Sequence, residues 1–246
     1  MLTEPEILDH SCIRAMNITK TFGQTKAING LTIDISCGSR VALLGPNGAG
    51  KSTVLKLLVG LMKPDFGEIT IGGYPADSSM EAKRLLGYLP EDATPYISLT
   101  VKENLQYVGA IRGVKDLDSR IEYLVSELGL QDFLSTKILK VSRGTRQKVS
   151  VAMSIIHSPK IVLMDEPLNY LDIPSQENVI QILSQMNSTF LISTHIMSIA
   201  ERLTDDVIII ARGQEIWKGK RNELRSLGHS EEPVEAIVSR MMKNVR

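Results

Sequence analysis

The chain has 246 residues, 43% of them hydrophobic, which is enough to bury a sizeable core and excludes intrinsic disorder. Its 28 Lys and Arg balance its 28 Asp and Glu, so no overall field draws it to nucleic acid or an anionic membrane. Its apolar runs, such as Val207 to Ala211, are far shorter than the ~20 residues that span a bilayer. We therefore expect neither a membrane span nor a nucleic-acid partner.

The cysteine content bears on the redox compartment. Cys12 and Cys37 are the two cysteines, and they lack the CxxC spacing of a zinc or redox site. Nothing at the N-terminus resembles a secretory leader. The sequence therefore favours a reducing, cytoplasmic setting.

In chain order, the N-terminal part predicts a small antiparallel sheet from residues 13–18 and 27–35. Apolar, β-branched runs without alternation then recur, and such runs are typical of strands covered on both faces. They are residues 40–44, 68–71, 161–164, 190–193 and 207–210. Helical stretches begin near Lys51, Pro174 and Met197, and this order of strands and helices predicts an α/β fold with a parallel sheet.

We interpret the stretch from about Gly87 to Pro159 as a helical subdomain inserted into that core. Helices are predicted over residues 101–111, 117–128 and 145–156. Thr100 followed by Glu103 is a capping-box pattern, which places the start of the first of these helices.

Residues 1–228 are predicted to form one domain, and residues 229–246 a C-terminal amphipathic helix. One face of this helix is apolar and carries Val234, Ile237, Val238, Met241, Met242 and Val245. The face either packs on the chain's own domain or contacts another subunit.

A glycine-rich loop follows the predicted strand 40–44 and opens a helix. It reads Gly45-Pro46-Asn47-Gly48-Ala49-Gly50-Lys51-Ser52-Thr53, and both its order and its context are those of the phosphate-binding P-loop. The glycines let backbone N–H groups turn toward phosphate oxygens, and the helix N-terminus adds a favourable dipole. We expect Lys51 to contact the β- and γ-phosphates and the Ser52 hydroxyl to bind Mg²⁺.

Two carboxylates, Asp165 and Glu166, end the predicted strand 161–164 in the manner of a Walker B motif. Buried charges persist only when they are paired or bound to metal. We expect Asp165 to hold Mg²⁺ through its water shell and Glu166 to polarise an attacking water. The alternative is a solvated strand end with two acids.

Further segments resemble the ABC (ATP-binding cassette) family, in that family's order, from about Ile13 to Gly228. Residues 141–147, Val-Ser-Arg-Gly-Thr-Arg-Gln, resemble the LSGGQ signature. Residues 169–172, Asn-Tyr-Leu-Asp, resemble the D-loop, and residues 87–95 are similar to the Q-loop region.

The resemblance implies a P-loop NTPase core, an antiparallel β subdomain and a helical subdomain, with ATP and Mg²⁺ bound. It implies that Phe22 stacks on adenine and that His195 contacts the γ-phosphate. Ser142 and Gly144 would bind the γ-phosphate held by the opposite subunit, and Asp172 would belong to the D-loop. Lys51, Glu166 and His195 are the implied catalytic residues.

Each of these residues also has an ordinary structural explanation. Phe22 suits a hydrophobic core, Ser142 suits a helix cap, and His195 suits a structural histidine. Asp172 suits a turn before Pro174. The family motifs favour the functional alternatives.

The chain departs from the family pattern at two sites. In the signature, Val141 replaces Leu, Arg143 replaces the first Gly and Thr145 replaces Gln. In the Q-loop, Glu91 replaces Gln; its carboxylate is a candidate Mg²⁺ ligand but cannot donate the hydrogen bonds of an amide.

The resemblance implies an ATP-hydrolysing subunit that serves a separate integral-membrane permease, as a homodimer or paired with a second ABC subunit. It would be cytoplasmic and peripheral on the inner face of the cell membrane. Residues 90–92 and 98–104 look more like efflux-type cassettes than importers. One alternative is a soluble ABC ATPase that remodels nucleic acid or ribosomes, although no basic stripe supports it. The other is a small-molecule kinase, although Glu166 favours water as nucleophile.

Overall fold

The computed structural model describes residues 6–194, 197–228 and 232–243. Its strands are β1 Ser11–Phe22, β2 Thr25–Ser36, β3 Arg40–Leu44, β4 Phe66–Ile71, β5 Tyr74–Pro75, β6 Leu86–Leu89, β7 Ile161–Asp165, β8 Thr189–Thr194, β9 Asp206–Ala211 and β10 Gln214–Lys220. Its α-helices are α1 Lys51–Leu58, α2 Met80–Leu85, α3 Val101–Ile111, α4 Leu117–Glu127, α5 Arg143–Ile155, α6 Ile173–Gln185, α7 Met197–Leu203, α8 Arg221–Ser226 and α9 Val234–Lys243. Within those ranges, no helix combines the length and the apolar character needed to cross a bilayer.

The strands form two sheets. The smaller sheet is antiparallel, in the order β2-β1-β4-β5. The larger sheet has the order β10-β9-β3-β8-β7-β6 and is parallel except for β10, which runs antiparallel to β9. This architecture confirms the predicted α/β class with an antiparallel N-terminal sheet.

One predicted strand belongs to the other sheet. Residues 68–71 are predicted as a strand covered on both faces, but the structure places them in β4, antiparallel to β1, with Ile71 opposite Ile13. Ile69 and Ile71 are buried, whereas Glu68 is exposed. Only one face of the strand is covered, and burial that alternates in this way is typical of antiparallel strands. The prediction was wrong because the run is too short to show the alternation.

The hydrophobic core lies on both faces of the larger sheet. Side chains alternate along each strand, so Ile161 and Leu163 of β7 join the apolar cluster beneath α1 and the smaller sheet. Val162 and Met164 face the cluster formed with the helical segment. The sheet therefore separates a core shared with the antiparallel strands from a core shared with the inserted helices.

The inserted helices α3, α4 and α5 lie between β6 and β7 in the chain. The start of α3 has the predicted capping box: Glu103 N donates to Thr100 Oγ1 at 3.2 Å, and Thr100 N donates to Glu103 Oε2 at 2.7 Å. The first residues of the predicted helical stretch, from Gly87, instead belong to β6 at the edge of the larger sheet.

The C-terminal helix α9 packs on its own domain. Val234, Ile237 and Val238 are buried in a cluster with Ala200 and Leu224. The apolar face is thus used within the chain, as the first of the two alternatives has it. Met242 and Val245 are also predicted to lie on this apolar face. Val245 and the side chain of Met242 fall outside the part of the chain that the structure describes.

The two cysteines form a disulfide bond. Cys12 in β1 is joined to Cys37, which follows β2. Persistent disulfides are rare in reducing compartments. The cysteines therefore give no support for a reducing setting, and their separation in sequence did not reveal the pairing.

His157 joins the helical segment to the larger sheet. It follows α5, and its Nε2 lies 3.0 Å from the carbonyl oxygen of Leu86. Burial, aided by the nearby guanidinium groups of Arg112 and Arg120, lowers the pKa of His157 to about 4. The imidazole is therefore neutral in the folded protein, and its Nε2 donates to Leu86.

We predict that His157 makes stability fall in mild acid. Its folded pKa lies below the ordinary value of 6.5, so between pH 6.5 and 4 the unfolded chain binds a proton that the folded chain does not. The contribution of His157 should be fully present above pH 6.5, and about 3 kcal/mol of it should be lost by pH 4. Urea unfolding across this range, compared with His157→Gln, measures the effect, and parallel pH profiles of the two proteins would contradict it.

Candidate functional site

The glycine-rich loop connects β3 to α1 and is held by backbone from two other regions. Gly50 has φ 105°, and a Cβ there would lie 2.7 Å from the carbonyl oxygen of Ala27. Gly213, in the turn between β9 and β10, approaches the same carbonyl, with a Cβ position 2.3 Å away. Gly213 N also donates to Ala49 O at 2.9 Å. Both glycines are required here because no side chain fits against this peptide group.

Lys51 is the first residue of α1, and its side chain turns back over the loop. Its Nζ donates to Gly45 O at 2.8 Å and to Pro46 O at 3.3 Å. Neutral carbonyls orient the ammonium without cancelling its charge, so Lys51 is prepared to bind an anion. Of the remaining predicted loop residues, Asn47 and Gly48 are exposed, Ala49 is buried, and Ser52 and Thr53 are half-buried.

The two predicted carboxylates are buried side by side at the end of β7. Asp165 is 2% exposed and Glu166 is 6% exposed. Ser193 Oγ donates to Asp165 Oδ1 at 2.6 Å, and Thr194 Oγ1 donates to Glu166 Oε2 at 3.1 Å. Each carboxylate therefore has its own hydroxyl partner, and this satisfies part of its hydrogen-bonding capacity in a buried place.

Glu166 also has an uncommon backbone conformation, with φ 49°. Left-handed conformations cost free energy in non-glycine residues and are often retained at functional sites. Glu166 N donates to Ser193 O at 2.9 Å, which holds the residue against β8. The strand thus ends at Asp165, and the chain turns at Glu166.

The register of the larger sheet brings these groups to one edge. β3 pairs with β8, with Leu44 opposite Thr194, and β7 pairs with β8, with Asp165 opposite Ser193. The carboxyl ends of parallel strands meet at one edge, which is where open α/β sheets bind ligands. Sequence reasoning missed Ser193 and Thr194. Two residues with hydroxyl groups at the end of an apolar run could have indicated a site at the end of this strand. Their pairing with the carboxylates, however, follows only from the strand order.

The signature segment begins α5 and packs against the segment after Glu166. Ser142 is the N-cap, and its Oγ accepts from Thr145 N at 3.0 Å. A Cβ on Gly144 would lie 2.8 Å from Tyr170 O, so a glycine is needed where the two backbones meet. Gln147 Nε2 donates to Pro167 O at 3.0 Å. The start of α5 is therefore fixed relative to the segment that carries Glu166.

The two departures from the family pattern meet in one cavity of about 120 Å³. Its lining includes Glu91, Arg143 and Tyr170. The exposed guanidinium of Arg143 stacks on the ring of Tyr170, with its Cζ 3.3 Å from the ring centroid, in a cation–π contact. Sequence reasoning missed this use of Tyr170.

Three further predicted site residues are Phe22, Asp172 and His195. Phe22 ends β1 and is 50% exposed, so it is not a core residue, and Lys20 Nζ lies 6.0 Å from the centroid of its ring. Asp172 caps α6: Ser175 N donates to its Oδ1 at 3.0 Å, and the Ser175 hydroxyl together with this N–H lowers the pKa of the carboxyl. His195 lies outside the described residues.

The side chains at the carboxyl edge fit a magnesium ion. Among the described residues, no three or more His, Cys, Asp or Glu side chains form a cluster able to hold a metal. Mg²⁺ keeps several waters and uses one or two carboxylates together with phosphate oxygens. Asp165 and the Ser52 hydroxyl are oxygen donors of the kind that would hold such an ion, and Glu91 lines the cavity beside Arg143.

Comparisons with known proteins decide the family. The family model described as ABC transporter matches residues 28–169, from β2 through the P-loop, α5 and the two carboxylates. The chain belongs to the ABC transporter family. It is an ABC ATPase of the ATP-binding subunit type.

Individual relatives agree with this assignment. The chain is 36% identical over 227 residues to the ABC transporter ATP-binding protein NatA of Bacillus subtilis (strain 168), covering 89% of this chain and 92% of that protein. It is 31% identical over 218 residues to the Nod factor export ATP-binding protein I of Rhizobium meliloti (strain 1021), covering 86% and 65%. The dimeric structure of MJ0796, a bacterial ABC transporter cassette, superimposes with a TM-score of 0.78 at 25% identity, covering 85% and 98%.

We predict that the Ser193 hydroxyl stabilises this ABC ATPase by pairing with Asp165. Ser193→Ala removes a donor to a buried carboxylate and should lower the free energy of unfolding by about 1–3 kcal/mol. Ser188→Ala is the matched control, because the Ser188 hydroxyl is also buried but donates to the neutral carbonyl of Pro159 at 2.7 Å. Urea unfolding compares them, and a smaller loss for Ser193→Ala than for the control would contradict the prediction.

Proposed function

We propose that this ABC ATPase powers export through a separate integral-membrane permease. The observation that most directly supports ATP hydrolysis as the energy source is the adjacency of Asp165 and Glu166. Each has its own hydroxyl partner, and both lie at the same sheet edge as Lys51. A metal-binding carboxylate and a water-binding carboxylate, next to a phosphate-binding loop, are the parts that ATP hydrolysis needs.

In this proposal the loop binds the phosphates of ATP. Its backbone N–H groups and the N-terminus of α1 contact phosphate oxygens, and Lys51 moves from the loop carbonyls to the β- and γ-phosphates. Ser52 and Asp165 would hold Mg²⁺, with Glu91 as a further candidate ligand. When bound, the ion would supply positive charge that balances the charge of the phosphates. Phe22 stacks on the adenine through its exposed ring.

Hydrolysis is an in-line attack of water on the γ-phosphorus. The Glu166 carboxylate accepts a hydrogen bond from the water, the oxygen–phosphorus bond forms, and the bond to the β-phosphate oxygen breaks. ADP and inorganic phosphate leave, and the proton of the water passes to the products or to solvent. His195 would donate to the γ-phosphate as its negative charge develops.

The signature segment acts on a second subunit in this proposal. Ser142 and Gly144 lie at the N-terminus of α5, where backbone N–H groups and a hydroxyl suit an anion. The γ-phosphate bound by a partner would be that anion, with Asp172 in the adjoining D-loop. The dimeric arrangement of the MJ0796 cassette supports such a pairing, as a homodimer or with a second ABC subunit.

We place the protein in the cytoplasm, peripheral on the inner face of the cell membrane, where ATP and a permease are both within reach. The Rhizobium relative is named for Nod factor export, which agrees with the efflux-type sequence of residues 90–92 and 98–104. The permease would select the cargo.

Phosphate release and oligomer mass test this function. With ATP and Mg²⁺, the wild-type chain should release phosphate, and Glu166→Gln should release it at least about 100-fold more slowly, because a neutral amide polarises the attacking water less than a carboxylate does. Because the variant keeps a side chain of the same shape, it should still bind ATP and accumulate as a nucleotide-bound dimer.

Asp116→Asn serves as the control for charge removal, since Asp116 lies in the turn before α4 and its side chain makes no capping hydrogen bond there. It should keep wild-type activity. A wild-type chain that hydrolyses ATP fully as a monomer would disprove the dimer, and equal activity of Glu166→Gln would remove Glu166 from the mechanism.

Arg143 provides a second test of the proposed site shared between two subunits. Its guanidinium lies at the N-terminus of α5, the positive end of the helix dipole, with no acidic residue in the first turn. Helix electrostatics disfavour a cation at this position, and a phosphate bound by the partner would stabilise it. In the Glu166→Gln background, Arg143→Gly should weaken ATP-driven dimerisation by roughly tenfold, the size of one charge-assisted hydrogen bond. Lys115→Gln, an exposed cation in the turn before α4, should not, and equal dimer affinities measured by ultracentrifugation would refute the effect.

A further inference from the structure

Tyr88 has a buried hydroxyl group that the mechanism does not use. It lies in β6, and its Oη is buried without a hydrogen-bond partner among the residues that the structure describes. Buried polar groups are nearly always paired with protein or with water. An unpaired one therefore indicates a missing partner.

The position of Tyr88 shows where that partner would lie. In the parallel pairing of β6 with β7, Tyr88 is opposite Leu163. Both side chains pack in the apolar cluster beneath α1, so they share one face of the sheet. Because side chains alternate along a strand, Asp165 is the next residue of β7 on that same face.

The electrostatics agree with this placement. Burial, together with the charge of Asp165, raises the pKa of Tyr88 to about 12, so the phenol responds to the carboxylate. Ser193 approaches Asp165 from β8, on one side of β7. Tyr88 lies on the other side, in β6. The strand that ends at Asp165 therefore lies between a strand that donates a hydroxyl to this carboxylate and a strand that carries a hydroxyl without a partner.

We propose that Tyr88 is a positioning residue for the metal at this site, its phenol oxygen accepting a hydrogen bond from a water in the coordination shell that Asp165 also contacts. The inference rests on the proposed binding of magnesium and ATP. Waters of a divalent cation are strong donors, and a phenol oxygen is an acceptor that Phe lacks. Groups in this outer position orient the ligands and typically affect metal affinity by about 10- to 100-fold.

The variant Tyr88→Phe tests the proposal in the full-length Glu166→Gln chain, in which ATP persists. ATP affinity is measured by calorimetry, once with EDTA and once with excess Mn²⁺, and the ratio isolates the contribution of the metal. We expect Tyr88→Phe to lower that ratio by about tenfold and to leave the affinity in EDTA unchanged. The electron paramagnetic resonance spectrum of the bound Mn²⁺ should change as well.

Tyr74→Phe is the matched control. Tyr74 is also a half-buried tyrosine packed against the cluster beneath α1, but it lies in β5 of the smaller sheet. Its substitution should leave both affinities and the Mn²⁺ spectrum as they are in the parent protein.

Thermal melting distinguishes this role from a structural one. Without ligand, Tyr88→Phe removes an unpaired buried hydroxyl and should melt at the same temperature as the parent or higher. With Mn²⁺ and ATP it should gain less stability than the parent gains. A structural hydroxyl would lower the melting temperature in both conditions.

Two outcomes separate the inference from the function beneath it. If Tyr88→Phe and its parent show the same ratio of Mn²⁺-ATP to metal-free affinity, Tyr88 does not position the metal and the inference is wrong. If the parent protein binds no ATP in either condition, the proposed function itself fails.

Discussion

The parallel register of the larger sheet is the constraint on which the site depends. β3, β8 and β7 run in the same direction and are neighbours, so their carboxyl ends coincide in space although they are far apart in sequence. The loop that contains Lys51 leaves one of these strands, and the carboxylates end another. No local interaction could bring them together. The hydrogen bonds between strands do so, and the apolar clusters on its two faces pack the sheet against its neighbours.

Burying two adjacent acids is the main electrostatic difficulty of this arrangement. Asp165 and Glu166 are almost inaccessible to solvent. A buried carboxylate without a partner would destabilise the fold or take up a proton. β8 provides a hydroxyl for each of them, and the turn at Glu166 separates the two groups. A hydroxyl group is a neutral donor, so it pairs with a carboxylate without adding an opposite charge.

Much of the fold could be predicted because its strongest signals are local. The P-loop pattern, the acid pair, the capping box at Thr100 and the boundaries of α3 depend on neighbours in sequence. The assignment of residues 68–71 to the wrong sheet, the partners of the acids and the disulfide depend on which strands pair, and pairing is not local. The stacking of Arg143 on Tyr170 was hidden for the same reason, since signature and D-loop are separated by most of α5 and β7.

The contact of Gly50 and Gly213 with the carbonyl of Ala27 has a broader consequence. Three distant stretches of chain converge on one peptide group, so the curvature of the phosphate-binding loop is not a property of its own nine residues. A sequence can carry the complete loop pattern and yet lack the hairpin or the turn that gives the loop its shape. The motif indicates that the loop can bind phosphate, whereas the surrounding backbone shapes the loop and so influences its affinity for phosphate. Affinity for nucleotide is thus an attribute of the whole domain, open to tuning by residues that never approach the ligand.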